Sequence, residues 1–116
     1  MKTRILIACS AILLMGCTRG QKLGPTLGTP PGSGAVVAIR DLQPSPNPVL
    51  VKGVMIEKCP TAGCWFMLKD DTGVVKVDTK DTEFTVTGVP LNSKMTVAGL
   101  MTDSGERRII ATGLRY

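Results

Sequence analysis

The chain has 116 residues, with 14 Lys and Arg against 9 Asp and Glu, a net charge of +5, and no histidine. Without histidine it cannot form a Ser-His or Cys-His catalytic pair, a blue-copper centre or a zinc site with a histidine ligand. Part of the positive charge belongs to residues 1–16, and the other basic residues are dispersed. The composition therefore favours a binding protein over an enzyme and disfavours nucleic acid as a partner.

The N-terminal segment is typical of an export signal. Lys2 and Arg4 precede Ile5 to Met15, an uncharged and largely apolar stretch of eleven residues. That length is too short to span a bilayer but matches the apolar region of a signal peptide. We predict that residues 1–16 are removed as a leader.

The end of this leader resembles the lipobox of bacterial lipoproteins. Leu14, Gly16 and Cys17 match the pattern, whereas Met15 stands where a small residue is usual. The resemblance implies that Cys17 becomes the lipidated N-terminus and that the membrane is a partner through this lipid. Thr18 in place of Asp implies sorting to the outer membrane in a Gram-negative host, facing the periplasm or the cell surface.

Between the lipidation site and the domain lies a predicted flexible tether. Residues 18–34 contain five Gly and three Pro and show no hydrophobic period. Such a composition is typical of a linker, so we assign residues 17–34 to the lipidated cysteine and tether, and residues 35–116 to the domain.

The domain is predicted to be all-β. Alternating apolar residues, separated by Gly, Pro, Asp and Asn, indicate five strands. They cover Val49–Lys58, Cys64–Lys69, Val74–Thr79, Lys94–Met101 and Arg107–Leu114. Five strands with a long connector after the third predict a small OB-fold-like barrel. The connector, residues 80–92, is expected to be a loop or a short helix.

Alternation predicts which side chains fill the barrel. Phe66 and Leu68 share one face of their strand, and Val75 and Val77 share the matching face of the next strand. In the first strand we expect a bulge at Gly53, which would return Val54 and Ile56 to the face that carries Val49 and Val51.

The two cysteines of the domain, Cys59 and Cys64, flank a four-residue loop. In an oxidising envelope they are expected to form a disulfide. The alternative is a soft-metal site in which the two thiolates bind Cu(I). Its candidate thioether donors are Met55, Met67, Met95 and Met101. Dithiol exchange is disfavoured, because the usual oxidoreductase motif has two intervening residues.

The outer face of the second and third strands is the predicted ligand surface. Trp65, Met67 and Lys69 alternate away from the core, and Lys76 lies beside them on the neighbouring strand. OB folds bind oligosaccharides and oligonucleotides on this face. An aromatic side chain near two lysines suits such a surface, although Trp65 packing over a Cys59–Cys64 bridge is the alternative.

Residues 36–101 resemble a family of small exported bacterial OB-fold proteins. The shared motifs are Val51-x-Gly53-x-x-Ile56 and Cys59-Pro60-x-x-Gly63-Cys64-Trp65-x-x-Leu68. The resemblance implies an OB fold and export but no activity. The chain departs from the family pattern at Ser93, where a glycine usually precedes the lysine.

Three functions remain open at this stage. The first is a non-catalytic, lipid-anchored module of the cell envelope that binds an envelope protein or a glycan near Trp65. The second is a Cu(I)-binding or redox accessory protein that uses Cys59 and Cys64. The third is oligonucleotide or oligosaccharide binding on the outer face of the second and third strands. We expect no cofactor and no resident metal, and the sequence assigns no oligomeric state.

Overall fold

The computed structural model describes residues 24–116. The predicted leader, Cys17 and the first part of the tether lie outside the described residues. The described part is all-β, with strands β1 (Thr26–Gly28), β2 (Val49–Lys58), β3 (Trp65–Asp70), β4 (Gly73–Asp78), β5 (Lys94–Thr102) and β6 (Arg108–Arg115). One short 3₁₀ helix spans Ile39–Asp41. No helix within this range is long and apolar enough to cross a membrane.

Strands β2 to β6 form a closed barrel. β3 pairs antiparallel with β2 and β4, and β5 pairs antiparallel with both β2 and β6. A parallel pairing between β4 and β6 completes the ring. Closure in this order gives each of the five strands two neighbours, although β4 covers only residues 108–110 of β6, and it is the arrangement of an OB-fold-like barrel. The predicted fold class is therefore confirmed, and the five predicted strands agree with the structure within about one residue at each end.

The barrel interior contains the side chains that alternation placed there. Phe66, Leu68 and Val77 are fully buried, and Val75 is nearly so. They pack in one cluster with Met55, Val97, Ile109 and Leu114 from the other strands. Because β3 and β4 turn these residues inward, their remaining side chains must form the outer surface.

Two irregular segments close the barrel ends. At one end, the 3₁₀ helix and the following residue bury Ile39 and Leu42, and the Arg107 guanidinium donates to the carbonyls of both. At the other end, residues 80–92 form turns and not a helix, and they bury Val86 and Val89. The connector is thus part of the core and not merely a link between β4 and β5.

The N-terminal boundary differs from the prediction. Thr26–Gly28 forms β1, which pairs antiparallel with residues 113–115 of β6. The sheet therefore includes three residues of the segment that the sequence assigned to a flexible tether ending at residue 34. The physical reason is the open edge of β6, which offers backbone partners to a segment with no strand signal of its own.

The inward face of β2 also differs from the prediction. The bulge lies between Met55 and Glu57 and not at Gly53, so Gly53 continues the inward alternation between Val51 and Met55. Val54 is consequently half-buried on the outer surface, and Ile56 is 41% exposed. The expectation that Val54 and Ile56 share the face of Val49 and Val51 is therefore wrong.

Next to Gly53, β2 changes its pairing partner from β5 to β3. Residues 49–54 of β2 pair with β5, and residues 54–58 pair with β3. A Cβ atom at Gly53 would lie 2.6 Å from the Lys69 carbonyl oxygen and 3.0 Å from Leu68 Cγ. Only glycine allows β2 and β3 to approach this closely.

Replacing Gly53 with Ala is expected to destabilise the barrel by about 1–3 kcal/mol, because the added methyl group forces β2 away from β3. Urea unfolding followed by Trp65 fluorescence measures the effect. Gly88→Ala is the matched control, since a Cβ atom there meets nothing within 4 Å, and its change should stay within about 0.5 kcal/mol. Equal stability changes in the two variants would contradict this account of the close approach at Gly53.

Candidate functional site

The outer faces of β3 and β4 carry three of the four predicted ligand-face residues together. Trp65 lies opposite Asp78, and Met67 lies opposite Lys76 on the adjacent strand. Lys69 is on the same face of β3 but four residues further along, which is about 13 Å from Trp65. The structure therefore brings Trp65, Met67 and Lys76 into one surface, which we call the Trp65 face, and separates Lys69 from it.

Lys76 covers the half-buried Trp65 ring. Its Nζ atom lies 5.5 Å from the ring centroid and 3.4 Å from a Glu106 carboxylate oxygen. A cation–π contact at a partly exposed site contributes about 0.5–1 kcal/mol, and a surface ion pair contributes about 1 kcal/mol or less. The ammonium can therefore move aside at modest cost when a ligand stacks on the indole.

The Trp65 face lies between two loops. The Cys59 amide donates to the Trp65 carbonyl at 3.0 Å, which places the β2–β3 loop at one border. Glu106 of the β5–β6 loop reaches Lys76, and Arg108 just after it pairs with Asp78 at 3.4 Å. These are the two loops that border the ligand surface of OB folds.

Packing against the connector fixes the β2–β3 loop. The Gly63 carbonyl accepts hydrogen bonds from the Val86 amide and the Thr79 hydroxyl, and the Thr79 amide donates to the Cys64 carbonyl. Gly63 has a φ of 60°, and a Cβ atom there would clash with Thr87. A glycine is thus needed at this position, and the loop is fixed before any bond forms between the cysteines.

The two cysteine thiols are separate in this structure. Because Lys58 lies opposite Phe66 and the Cys59 amide bonds the Trp65 carbonyl, Cys59 is opposite Trp65 and not opposite Cys64. Disulfides across a hairpin are easiest between directly opposed residues, and Cys64 is one position away from the residue opposite Cys59. The disulfide stays a prediction.

The loop backbone stabilises a thiolate at Cys59. The Thr61 hydroxyl lies 3.5 Å from its Sγ atom, and the backbone amides of residues 61–63 also point toward the sulfur. These hydrogen bonds, with that of the Thr61 side chain the largest, lower the pKa of Cys59 to about 6. Near neutral pH this exposed loop therefore presents a negatively charged sulfur.

Three of the four candidate thioether donors for copper are in the core. Met55, Met95 and Met101 are almost completely buried among the barrel side chains, whereas Met67 is half-buried on the Trp65 face. The copper hypothesis then rests on Cys59, Cys64 and Met67. Within residues 24–116 no three or more Cys, Asp or Glu side chains cluster at metal-binding distance.

A second surface, which the sequence did not reveal, lies across β2, β3 and β5. It is a groove of about 700 Å³ lined by Lys52, Lys69, Lys94 and Arg115, among others. The sequence carries no signal for it, because these cations come from four different strands and meet only through the register of the barrel. Val54 and Ile56 also line this groove.

Comparison with known proteins supports the fold. No protein-family model matches the chain, and no curated protein does. Among solved structures, the hypothetical protein ygiW from E. coli is similar, with a TM-score of 0.53 and 20% sequence identity over 84% of this chain and all of that one. At this identity the likeness establishes a shared small-barrel fold.

The Cys59 environment predicts site-selective reactivity. In the reduced chain, alkylation of Cys59 by iodoacetamide should rise with pH through a midpoint near 6, because the thiolate is the reacting form above its pKa. Thr61→Val removes the main hydrogen bond and should move that midpoint upward. Peptide mass spectrometry measures the extent of labelling. A midpoint near the usual value of about 8.5 in the unmodified chain would contradict the assignment.

Proposed function

We propose that this protein is a non-catalytic, lipid-anchored binding module of the bacterial cell envelope, and that it binds a glycan on the Trp65 face. The observation that carries the proposal is the position of Trp65. The only tryptophan of the chain is half-buried on the outer face of β3, between the two loops that border OB-fold ligand surfaces.

The chemistry of the Trp65 face suits a sugar chain. A flat indole offers a stacking surface, while Lys76, Asp78 and Arg108 supply donors and acceptors around it. Both ion pairs at this face involve partly exposed side chains, so their groups can exchange partners with hydroxyl groups at low cost. The alternative partner in this proposal is an envelope protein, which would bind to the same residues.

The anchor part of the proposal rests on the sequence. The apolar leader and its Leu14-Met15-Gly16-Cys17 ending support cleavage before Cys17 and lipidation of its thiol. In a Gram-negative host the protein would then be located at the outer membrane, since Thr18 and not Asp follows the lipidated residue.

The glycan proposal predicts that Trp65→Ala weakens binding of soluble cell-wall glycan fragments by at least about five-fold, because stacking on an aromatic platform is worth about 1–3 kcal/mol. Trp65→Phe, which keeps an aromatic face, should retain most of the affinity. Calorimetric titration of the mature chain measures both. Leu91→Ala is the control, because Leu91 is an exposed apolar residue outside the Trp65 face. Equal losses in the Trp65→Ala and Leu91→Ala variants, or no binding by the unmodified chain, would refute the proposed site.

The anchor proposal predicts that fatty-acid label enters the full-length chain in its own host and that Cys17→Ser abolishes the label and releases the protein from the membrane fraction. Metabolic labelling and intact mass measure these outcomes. Cys9→Ser, a change inside the leader, serves as the control and should leave the mature product unchanged. A labelled Cys17→Ser product would disprove lipidation at this residue.

A further inference from the structure

The groove across β2, β3 and β5 has a definite arrangement of charges. In one row, Val54 of β2 lies between Lys69 of β3 and Lys94 of β5. Because neighbouring strands are about 4.8 Å apart, the Cα atoms of the two lysines are roughly 10 Å apart. Both side chains are exposed and lie on the outer surface of the barrel.

A second row lies two residues along β2. Lys52 pairs with Thr96 of β5, and Thr96 pairs in turn with Arg115 of β6. This row is about 7 Å from the first, and its two cations are again roughly 10 Å apart at Cα. Four cations therefore occupy the corners of a patch, which we call the basic groove, whose centre is formed by Val54 and Thr96.

The lysines of the basic groove are not neutralised by the protein. The ion pairs within residues 24–116 involve Arg40, Lys76 and Arg108, and none involves Lys52, Lys69 or Lys94. Asp70 and Asp71 also line the groove. The carboxylate of Asp70 already accepts hydrogen bonds from the Ile39, Thr72 and Gly73 amides and from the Thr72 hydroxyl. The net charge of the groove is positive.

Apolar side chains accompany these cations. Ile56 lines the groove and is 41% exposed, and Val74, opposite Lys69 on β4, is exposed to the same extent. Tyr116 lines it as well. Lysines interspersed with exposed aliphatic and aromatic side chains are typical of protein surfaces that lie against lipid headgroups.

The N-terminal end of the described residues lies at this groove. Gly24, the first described residue, is part of the lining, and Cys17 is seven residues before it. Seven residues span at most about 25 Å. If Cys17 is lipidated, as proposed above, the basic groove is the part of the barrel that the anchor keeps nearest to the membrane surface.

We propose that the basic groove binds the phosphates of anionic lipid headgroups, so that the Lys69 end of β3 lies on the membrane while the Trp65 end of the same strand is held further from it. Four separated cations suit several phosphates on a surface better than one free phosphate. The proposal deepens the anchored function above and relies on it for the orientation, but the groove itself can be tested without the lipid.

The test uses the mature chain with Cys17→Ser, which carries no acyl group, and vesicles of phosphatidylcholine with or without phosphatidylglycerol. We expect binding to the vesicles that contain phosphatidylglycerol only. Each groove charge removed should weaken it about five-fold, so Lys52→Gln with Lys94→Gln should weaken it roughly 25-fold. Lys80→Gln, which removes an exposed cation after the far end of β4, should stay within about two-fold because salt screens distant charges.

Several outcomes would overturn the proposal. Equal binding to both kinds of vesicle would do so, and so would unchanged affinity in the double variant. Displacement of the protein from the vesicles by millimolar glycerol phosphate would assign the groove to a free phosphate compound. Binding of a single-stranded oligonucleotide in place of the vesicles would assign it to nucleic acid. Unchanged Trp65 fluorescence in the double variant checks that its fold is intact.

The outcomes also separate this proposal from the function above. If the native protein carries no acyl chain but the Cys17→Ser chain binds phosphatidylglycerol vesicles through the groove, the anchor is wrong and the groove is right. If acylation is found but the double variant binds the vesicles as tightly as the chain with an unmodified groove, the anchor proposal is right and the groove proposal is wrong. Trp65→Ala should leave vesicle binding unchanged, since Trp65 lies about 13 Å from Lys69, at the opposite end of β3.

Discussion

The close approach of β2 to β3 at Gly53 is the constraint on which the rest of the structure depends. One strand pairs with β5 over its first half and with β3 over its second half, and this shared pairing closes the barrel. The Lys69 carbonyl lies so near that no side chain fits at this position. Because β2 passes from β5 to β3 next to this glycine, its register with the two neighbours decides which residues of β3 and β5 lie outside.

The two surfaces described above follow from that register. On β3, one alternation turns Phe66 and Leu68 into the core and leaves Trp65 and Lys69 outside, at opposite ends of the strand. Trp65 lies beside the two loops that border the ligand surface, whereas Lys69 meets Lys94 across β2. A small barrel can thus present an aromatic surface and a cationic surface that do not overlap.

Much of the fold could be predicted from the sequence, because strand alternation and Gly- or Pro-rich turns are local signals. The interior positions of Phe66, Leu68, Val75 and Val77 depended only on those signals. β1 could not be predicted, since three residues carry no period and are ordered only by pairing with β6. The bulge near Ile56 was misplaced for a similar reason, because the partner strand determines which residue is skipped.

The candidate site also has features that could be predicted from the sequence and features that could not. Trp65 and the cysteine loop stand out in the sequence as an isolated aromatic residue and a spaced pair of thiols. The low pKa of Cys59 was not foreseeable, because it arises from loop amides and the Thr61 hydroxyl in their folded positions. The basic groove was not foreseeable either, since Lys52, Lys69 and Lys94 are distant in sequence and meet only across three strands.

The central claim is that the two faces of one barrel serve different partners. Backbone amide and indole shifts in two-dimensional NMR spectra, recorded on the Cys17→Ser mature chain, test it most directly. With phosphatidylglycerol bicelles, the account predicts shifts at Val54, Lys94 and Thr96 and none at the Trp65 indole. With wall glycan fragments it predicts a shift of the Trp65 indole and no shifts at Val54, Lys94 and Thr96. The same set of shifted residues with both ligands would contradict it.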